Sequence, residues 1–208
     1  MPRPDVLRNR HIRMLARRRS AYSLGPSMTA QTDRQRDWIF FLLLIPAAYV
    51  SYLFHEFGHW SIGELLGNEM AYSLNYAWPK SGGYLHAGDR VLSSMGGPAF
   101  SILQSLIALL IIEKYRFLNA YPFAFFPMFS RYFSLLLGGF EKQDEAQIAL
   151  MLGVWYYLVA LIVLVALTAI VARCSFRLGI GIRKNMFVIT GSTVCQLLVI
   201  GTYKLFPV

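Results

Sequence analysis

His55, Glu56, Phe57, Gly58 and His59 form an HExxH sequence. On a helix, residues four apart share a face, so both imidazoles can reach one metal ion while the glutamate beside the first histidine addresses the water that such an ion binds. That chemistry is hydrolytic: a catalytic zinc with three protein ligands and one open position brings the pKa of water down to about 7, and a nearby carboxylate accepts the proton. The motif lies inside an apolar run, WIFFLLLIPAAYVSYLFHEFGHW. Ionisable side chains at membrane depth are expensive to bury and usually mark function. The plainer alternative puts them at the water boundary, as anchors of a helix end.

A catalytic zinc needs a third protein ligand, and the candidates are Glu64, Glu69, Asp89, Glu141, Asp144 and Glu145. Glu64 follows His59 by five residues, about 140° around an ideal helix, which turns it off the metal face. Glu69 and Asp89 stand in a polar stretch where solvated loop residues are expected. Asp144 sits in EKQDEAQIALMLG, a charged cluster that opens a later apolar run. If each apolar run crosses, His59 and Asp144 arrive at the same membrane face whichever way the protein is oriented. The competing explanation is an acidic helix start, since Asp and Glu favour helix N-termini.

The elements that must position these groups are apolar helices. Of the 208 residues, 56% are hydrophobic and only 15% charged, against about 25% charged in soluble domains. A bilayer core about 30 Å thick takes roughly 20 apolar residues in a helix, and five stretches qualify: 38 to 62, 92 to 112, 117 to 139, 149 to 172 and 186 to 206. The first is too long and too late for a cleaved signal peptide. The third carries Pro122, Pro127 and Arg131 and is expected to be broken or re-entrant. The fold expected is an all-α polytopic membrane protein of about five transmembrane or membrane-embedded helices, with a short β-strand element between the first two. Residues 1–37 would be a basic, disordered tail and 38–208 the membrane-embedded domain.

The net charge of +9 does not imply nucleic acid, because nine of the 20 basic residues are arginines ahead of Trp38. Counting basic residues on either side of five crossings places the N-terminus in the cytoplasm. Cys174 and Cys195 have no metal-type spacing. Arg131, isolated in an apolar run, calls for a carboxylate partner and reads as half of an ion pair. Tryptophans and tyrosines such as Trp38, Trp78, Trp155 and Tyr156 suit interfacial belts. Gly82-Gly83-Tyr84-Leu85 has the character of a short strand whose edge could hold an extended peptide, or of an ordinary glycine turn. His86 beside it reads as a surface histidine. Gly96, Gly97 and Pro98 could bend the start of the second span and let backbone approach the site, or could serve small-residue helix packing.

The succession of His55-Glu56-Phe57-Gly58-His59, Gly82-Gly83-Tyr84 and Gly96-Gly97-Pro98-Ala99-Phe100-Ser101 resembles the site-2 protease family of intramembrane zinc metalloproteases, over roughly residues 38 to 115. In that family the zinc helix is followed by a GGY strand and a GP motif opening the next helix. Ser101 stands where the family commonly has asparagine. Asn119-Ala-Tyr-Pro122 is similar to the family's proline-rich stretch, which usually ends in Asp-Gly, whereas Asp144 precedes Glu145. The resemblance implies zinc as cofactor, held by His55, His59 and Asp144, with Glu56 as the catalytic base. It implies substrate contacts from Gly82, Gly83, Tyr84, Gly97 and Pro98, and cleavage of a transmembrane or membrane-proximal peptide bond in a membrane protein or peptide. It also implies a site facing the cytosol, opposite to the charge count. The alternative is a non-proteolytic membrane binding protein related to the family. Substrate and oligomeric state are not encoded in any motif.

Overall fold

The computed structural model describes residues 38–206; the basic tail expected at 1–37, and its cytoplasmic placement, lie outside the described residues. The chain forms α1 (Leu44–Leu65), a hairpin of β1 (Met70–Tyr72) and β2 (Ala77–Pro79), α2 (Ala87–Tyr115), α3 (Tyr121–Phe133), α4 (Asp144–Leu152), α5 (Leu158–Leu178) and α6 (Ile182–Leu205). Among the described residues four helices are long and apolar enough to cross a bilayer: Trp38–Leu65, which contains α1, then α2, α5 and α6. Their outward faces carry large apolar side chains such as Leu53, Leu106, Leu110, Leu161 and Leu197. This all-helical, membrane-type fold with one small antiparallel sheet matches the expectation.

The stretch 117–139 is broken, for local reasons. Pro122 sits in the first turn of α3, where its missing N–H costs nothing. The helix lasts 13 residues, about 20 Å at 1.5 Å per residue and short of a bilayer core. It ends in a π-helical turn, Ser134–Gly138, and Gly139 at φ +80° reverses the chain. The run expected at 149–172 divides as well. Gly153, in the left-handed conformation, stops α4, and the long helix begins only at Leu158. Left-handed glycine after the last turn is a common helix stop because no Cβ opposes it.

Contacts between helix ends show how the broken stretch runs. Near the end of α2, Glu113 meets Arg173 and Arg177, near the end of α5. Tyr121, at the start of α3, bonds Ser175 of α5 and Asn185 of α6. The starts of α3 and α6 therefore lie with the ends of α2 and α5. At the opposite end, Asp144 opens α4 beside His55 and His59 of α1. Residues 117–157 thus carry the chain from one end of the bundle to the other in short pieces, and α5 returns it.

The core between these ends is apolar and aromatic: Phe40, Leu44, Ile112, Tyr121, Phe126 and Val188 are all essentially inaccessible. The tightest crossing joins α1 to α2. A Cβ on Gly58 would run into the Gly96 carbonyl, and one on Gly96 into the Gly58 carbonyl. Only glycine on both sides lets the two backbones approach this closely.

The strand expected at Gly82–Tyr84 lies instead at 70–72 and 77–79, paired Met70 with Pro79, Ala71 with Trp78 and Tyr72 with Ala77. Gly82-Gly83-Tyr84 is irregular: Gly82, at φ +82°, closes a turn back to the Pro79 carbonyl, and the chain bends through Gly83. The hairpin is pinned to the end of α1 by the Met70 N–H donating to Glu64 Oε1 at 2.9 Å and by the Met70 side chain packed on Gly63.

Candidate metal centre

His55 and His59 occupy successive turns on one face of α1, with their rings 4.8 Å apart and nearly perpendicular. Asp144, first residue of α4, closes on them. His55 Nε2 lies 2.9 Å and His59 Nε2 3.5 Å from Asp144 Oδ2, and the two Nε2 atoms are 3.2 Å apart. Both imidazoles are buried and the carboxylate is one-third exposed.

The far nitrogen of each ring is fixed by α2. His59 Nδ1 lies 2.8 Å from the Ser93 carbonyl oxygen, which can only accept, so a neutral His59 carries its proton on Nδ1 and its lone pair on Nε2. His55 Nδ1 lies 3.0 Å from Ser101 Oγ, a partner that admits the same tautomer. Such outer bonds orient metal-binding histidines and raise their basicity. Ser93, Gly97 and Ser101 are spaced by four, so one face of α2 runs antiparallel to the His55–His59 face of α1. Gly97 lies between the serines, under the rings: a Cβ there would collide with both imidazoles.

With both imidazoles protonated on Nδ1, three lone pairs meet with no proton between them, an arrangement that a cation relieves. Donors bound tetrahedrally at about 2.0–2.1 Å are separated by about 3.3–3.4 Å, and the three separations here bracket that figure. The His55–His59–Asp144 group can therefore hold a metal ion.

The remaining acidic candidates are engaged or remote. Glu64 is exposed and accepts the Met70 amide. Asp89 caps α2, accepting from the His86 N–H at 3.2 Å and from Asn68 Nδ2 at 3.1 Å. Glu69 and Glu141 are exposed. Glu145 pairs with Arg131, Oε1 to Nη1 at 3.5 Å. His86 is largely exposed beside Asp89.

A cavity of about 760 Å³ opens onto the centre and is lined by His55, Glu56, His59, Asp144, Arg131 and Tyr84, among others. Tyr84 reaches the centre through its hydroxyl, which donates to Ser93 Oγ at 3.0 Å, while that serine donates to the His59 carbonyl. Gly82 and Gly83 line an adjoining depression that shares Tyr76, Pro79, Tyr84 and Arg90 with this cavity. Gly97 is buried in the α1–α2 contact, and Pro98 is buried next to it on α2. Strand β2 contributes Ala77 and Pro79 to the cavity wall, the place expected for Gly82–Tyr84.

The sequence pattern did not single out Ser93 and Ser101 as the groups that orient the histidines. Their signal was present: a four-residue period of small residues, Ser93-Gly97-Ser101-Ser105, in step with the four-residue period of the histidines. No family model, curated protein or solved structure matches the chain.

Proposed function

We propose that the protein is an intramembrane zinc metalloendopeptidase that cleaves a transmembrane or membrane-proximal peptide bond. The observation that carries this reading is the convergence of His55 Nε2, His59 Nε2 and Asp144 Oδ2 within 2.9–3.5 Å of one another, with Glu56 from the same helix lining the same cavity. Two imidazoles and one carboxylate suit zinc, and three ligands leave a fourth position for water. When bound there, zinc supplies acidity to water and polarises a carbonyl. Glu56 accepts the proton of the attacking water and delivers it to the leaving amine, as a carboxylate within reach of both can. His55, His59 and Asp144 hold the ion, and Ser93 and Ser101 keep the imidazoles turned toward it. The order of motifs similar to site-2 proteases and the presence of four helices apolar enough to cross a bilayer support this reading.

The test works without an identified substrate. Membranes from cells producing the wild-type protein or Glu56→Gln are compared for new peptide termini within or beside apolar spans. Such termini are expected with the wild type alone, and expected to vanish with a chelator. The same termini in both, or in neither, while both proteins carry metal, would overturn proteolysis and leave the non-proteolytic binding protein as the reading.

A further inference from the structure

Arg131 reaches the centre from α3, an element that holds none of the three ligands. Its side chain is 14% exposed and lines the same cavity. Nη1 faces both carboxylates of the α4 start, 3.5 Å from Glu145 Oε1 and 3.6 Å from Asp144 Oδ2. Nη2 lies 3.5 Å from His55 Nε2, the atom whose lone pair points to the metal position. Nε is buried and without a hydrogen-bond partner. A guanidinium needed only to neutralise two carboxylates would be expected to fork across them with both terminal nitrogens. Here one nitrogen takes both, while Nη2 is turned to the His55 lone pair that a metal ion would claim, so that metal binding would free Nη2 as a donor beside the point where the ligands converge. Glu145, 4% exposed in its side chain, holds the guanidinium through the same Nη1.

We propose that Arg131 is a catalytic residue that holds the carbonyl oxygen of the scissile bond as it becomes negative. This rests on the proteolytic reading above. As the water oxygen bonds to the carbonyl carbon, the π pair of the C=O bond moves onto its oxygen, and Arg131 donates hydrogen bonds to that oxygen without giving up a proton. When the C–N bond breaks, the pair returns to re-form C=O, and the amine leaves with the proton that Glu56 took from water. Donors aimed in advance at a developing negative oxygen are among the strongest devices an enzyme has. A cation near a metal also has a distinctive signature: it repels the ion while attracting the anion that the ion binds.

That signature gives the test. Detergent-solubilised protein is titrated with Co²⁺ by visible absorption, and the loaded protein is then titrated with phosphoryl-Leu-Phe, a dipeptide bearing a tetrahedral anion, or with imidazole, a neutral metal ligand. Arg131→Gln is expected to bind Co²⁺ as tightly as the wild type or more tightly. It should bind the phosphoryl dipeptide about 10- to 100-fold more weakly and imidazole unchanged. Arg131→Lys, which keeps the charge and the support of Glu145, should bind Co²⁺ normally and still lose several-fold in phosphoryl affinity, for want of the second donor. Weaker Co²⁺ binding in these variants would make Arg131 a support for Asp144 and overturn the proposal. Phosphoryl affinity equal to wild type in Arg131→Lys would overturn it too, even if Arg131→Gln fails to fold. Failure of the wild type to take up Co²⁺ defeats the metal reading first and this proposal with it, whereas a Co²⁺-loaded wild type matched by its Arg131 variants defeats the proposal alone.

Discussion

Where α2 and α5 end, polar side chains meet their opposites. Glu113 receives Arg173 Nε at 2.6 Å and lies 3.0 Å from Arg177 Nε, and the Tyr121 hydroxyl bridges Ser175 Oγ at 2.7 Å and Asn185 Oδ1 at 2.6 Å. One carboxylate serves two guanidiniums, and the hydroxyl is used in both directions. Around His55 and His59 of α1 the arrangement is reversed: three electron-pair donors are pressed together. Both clusters tie distant parts of the chain at similar distances, so distance alone does not distinguish clamp from site. The sign and direction of the groups do. A clamp pairs donors with acceptors, while a binding centre assembles like groups whose complement comes from outside.

This contrast can be broken by substitution. The largest effect is expected from His55→Ala and His59→Ala, which should take metal content, measured by elemental analysis in detergent, from about one ion per chain to none. Asp144→Ala should fall short of full occupancy at the same free zinc. Retention of the ion in both histidine variants would mean that the cluster is another clamp. Next comes Gly97→Ala, whose methyl group would displace both imidazoles; zinc affinity should drop at least as far as in the outer-bond variant that follows, while Gly201→Ala, with open space around its Cβ position, serves as the helix control. Ser101→Ala removes only the partner of His55 Nδ1, and loss of such a bond typically costs about 10- to 100-fold in metal affinity.

At the clamp end the readouts should exchange. Tyr121→Phe leaves Ser175 and Asn185 without their shared partner and is expected to lower stability by about 1–2 kcal/mol, seen as earlier thermal unfolding in detergent, with zinc affinity unchanged. A loss of zinc there would show that the two ends are coupled. Smallest of all should be Glu141→Ala. Glu141 is exposed near the start of α4, and its helix-end electrostatics amount to about 0.3–1 kcal/mol; a loss of metal in that variant would move the third ligand to Glu141.

The glycines mark how far pattern reading can go. Gly96, Gly97 and Pro98 are legible as a place where backbone approaches the site, but not which glycine does what. Gly96 answers Gly58 across the crossing, and Gly97 makes room for the imidazoles. A glycine pair suggests the strand, which stands instead in Met70–Tyr72 and Ala77–Pro79, three-residue segments too short to show alternation. Their pairing depends on anchorage to Glu64 and Gly63 at the end of α1, which no local pattern reports.

Whatever helical geometry repeats can be read from the chain alone: apolar length makes the long helices, and a spacing of four puts His55 and His59 on one face whatever surrounds them. The same reading narrows the third ligand to a short acidic set. Choosing between neighbours in that set takes packing in three dimensions. Asp144 and Glu145 are adjacent and chemically alike, but on a helix they point about 100° apart, so the packing of α4 against α2 and α5 sends one carboxylate to the histidines and leaves the other to Arg131. The partnership of Arg131 with a centre 76 residues away in sequence has the same origin. It depends on where α3 breaks and how the broken pieces cross the bundle, relations set by packing between elements and not by the periodicity within any one of them.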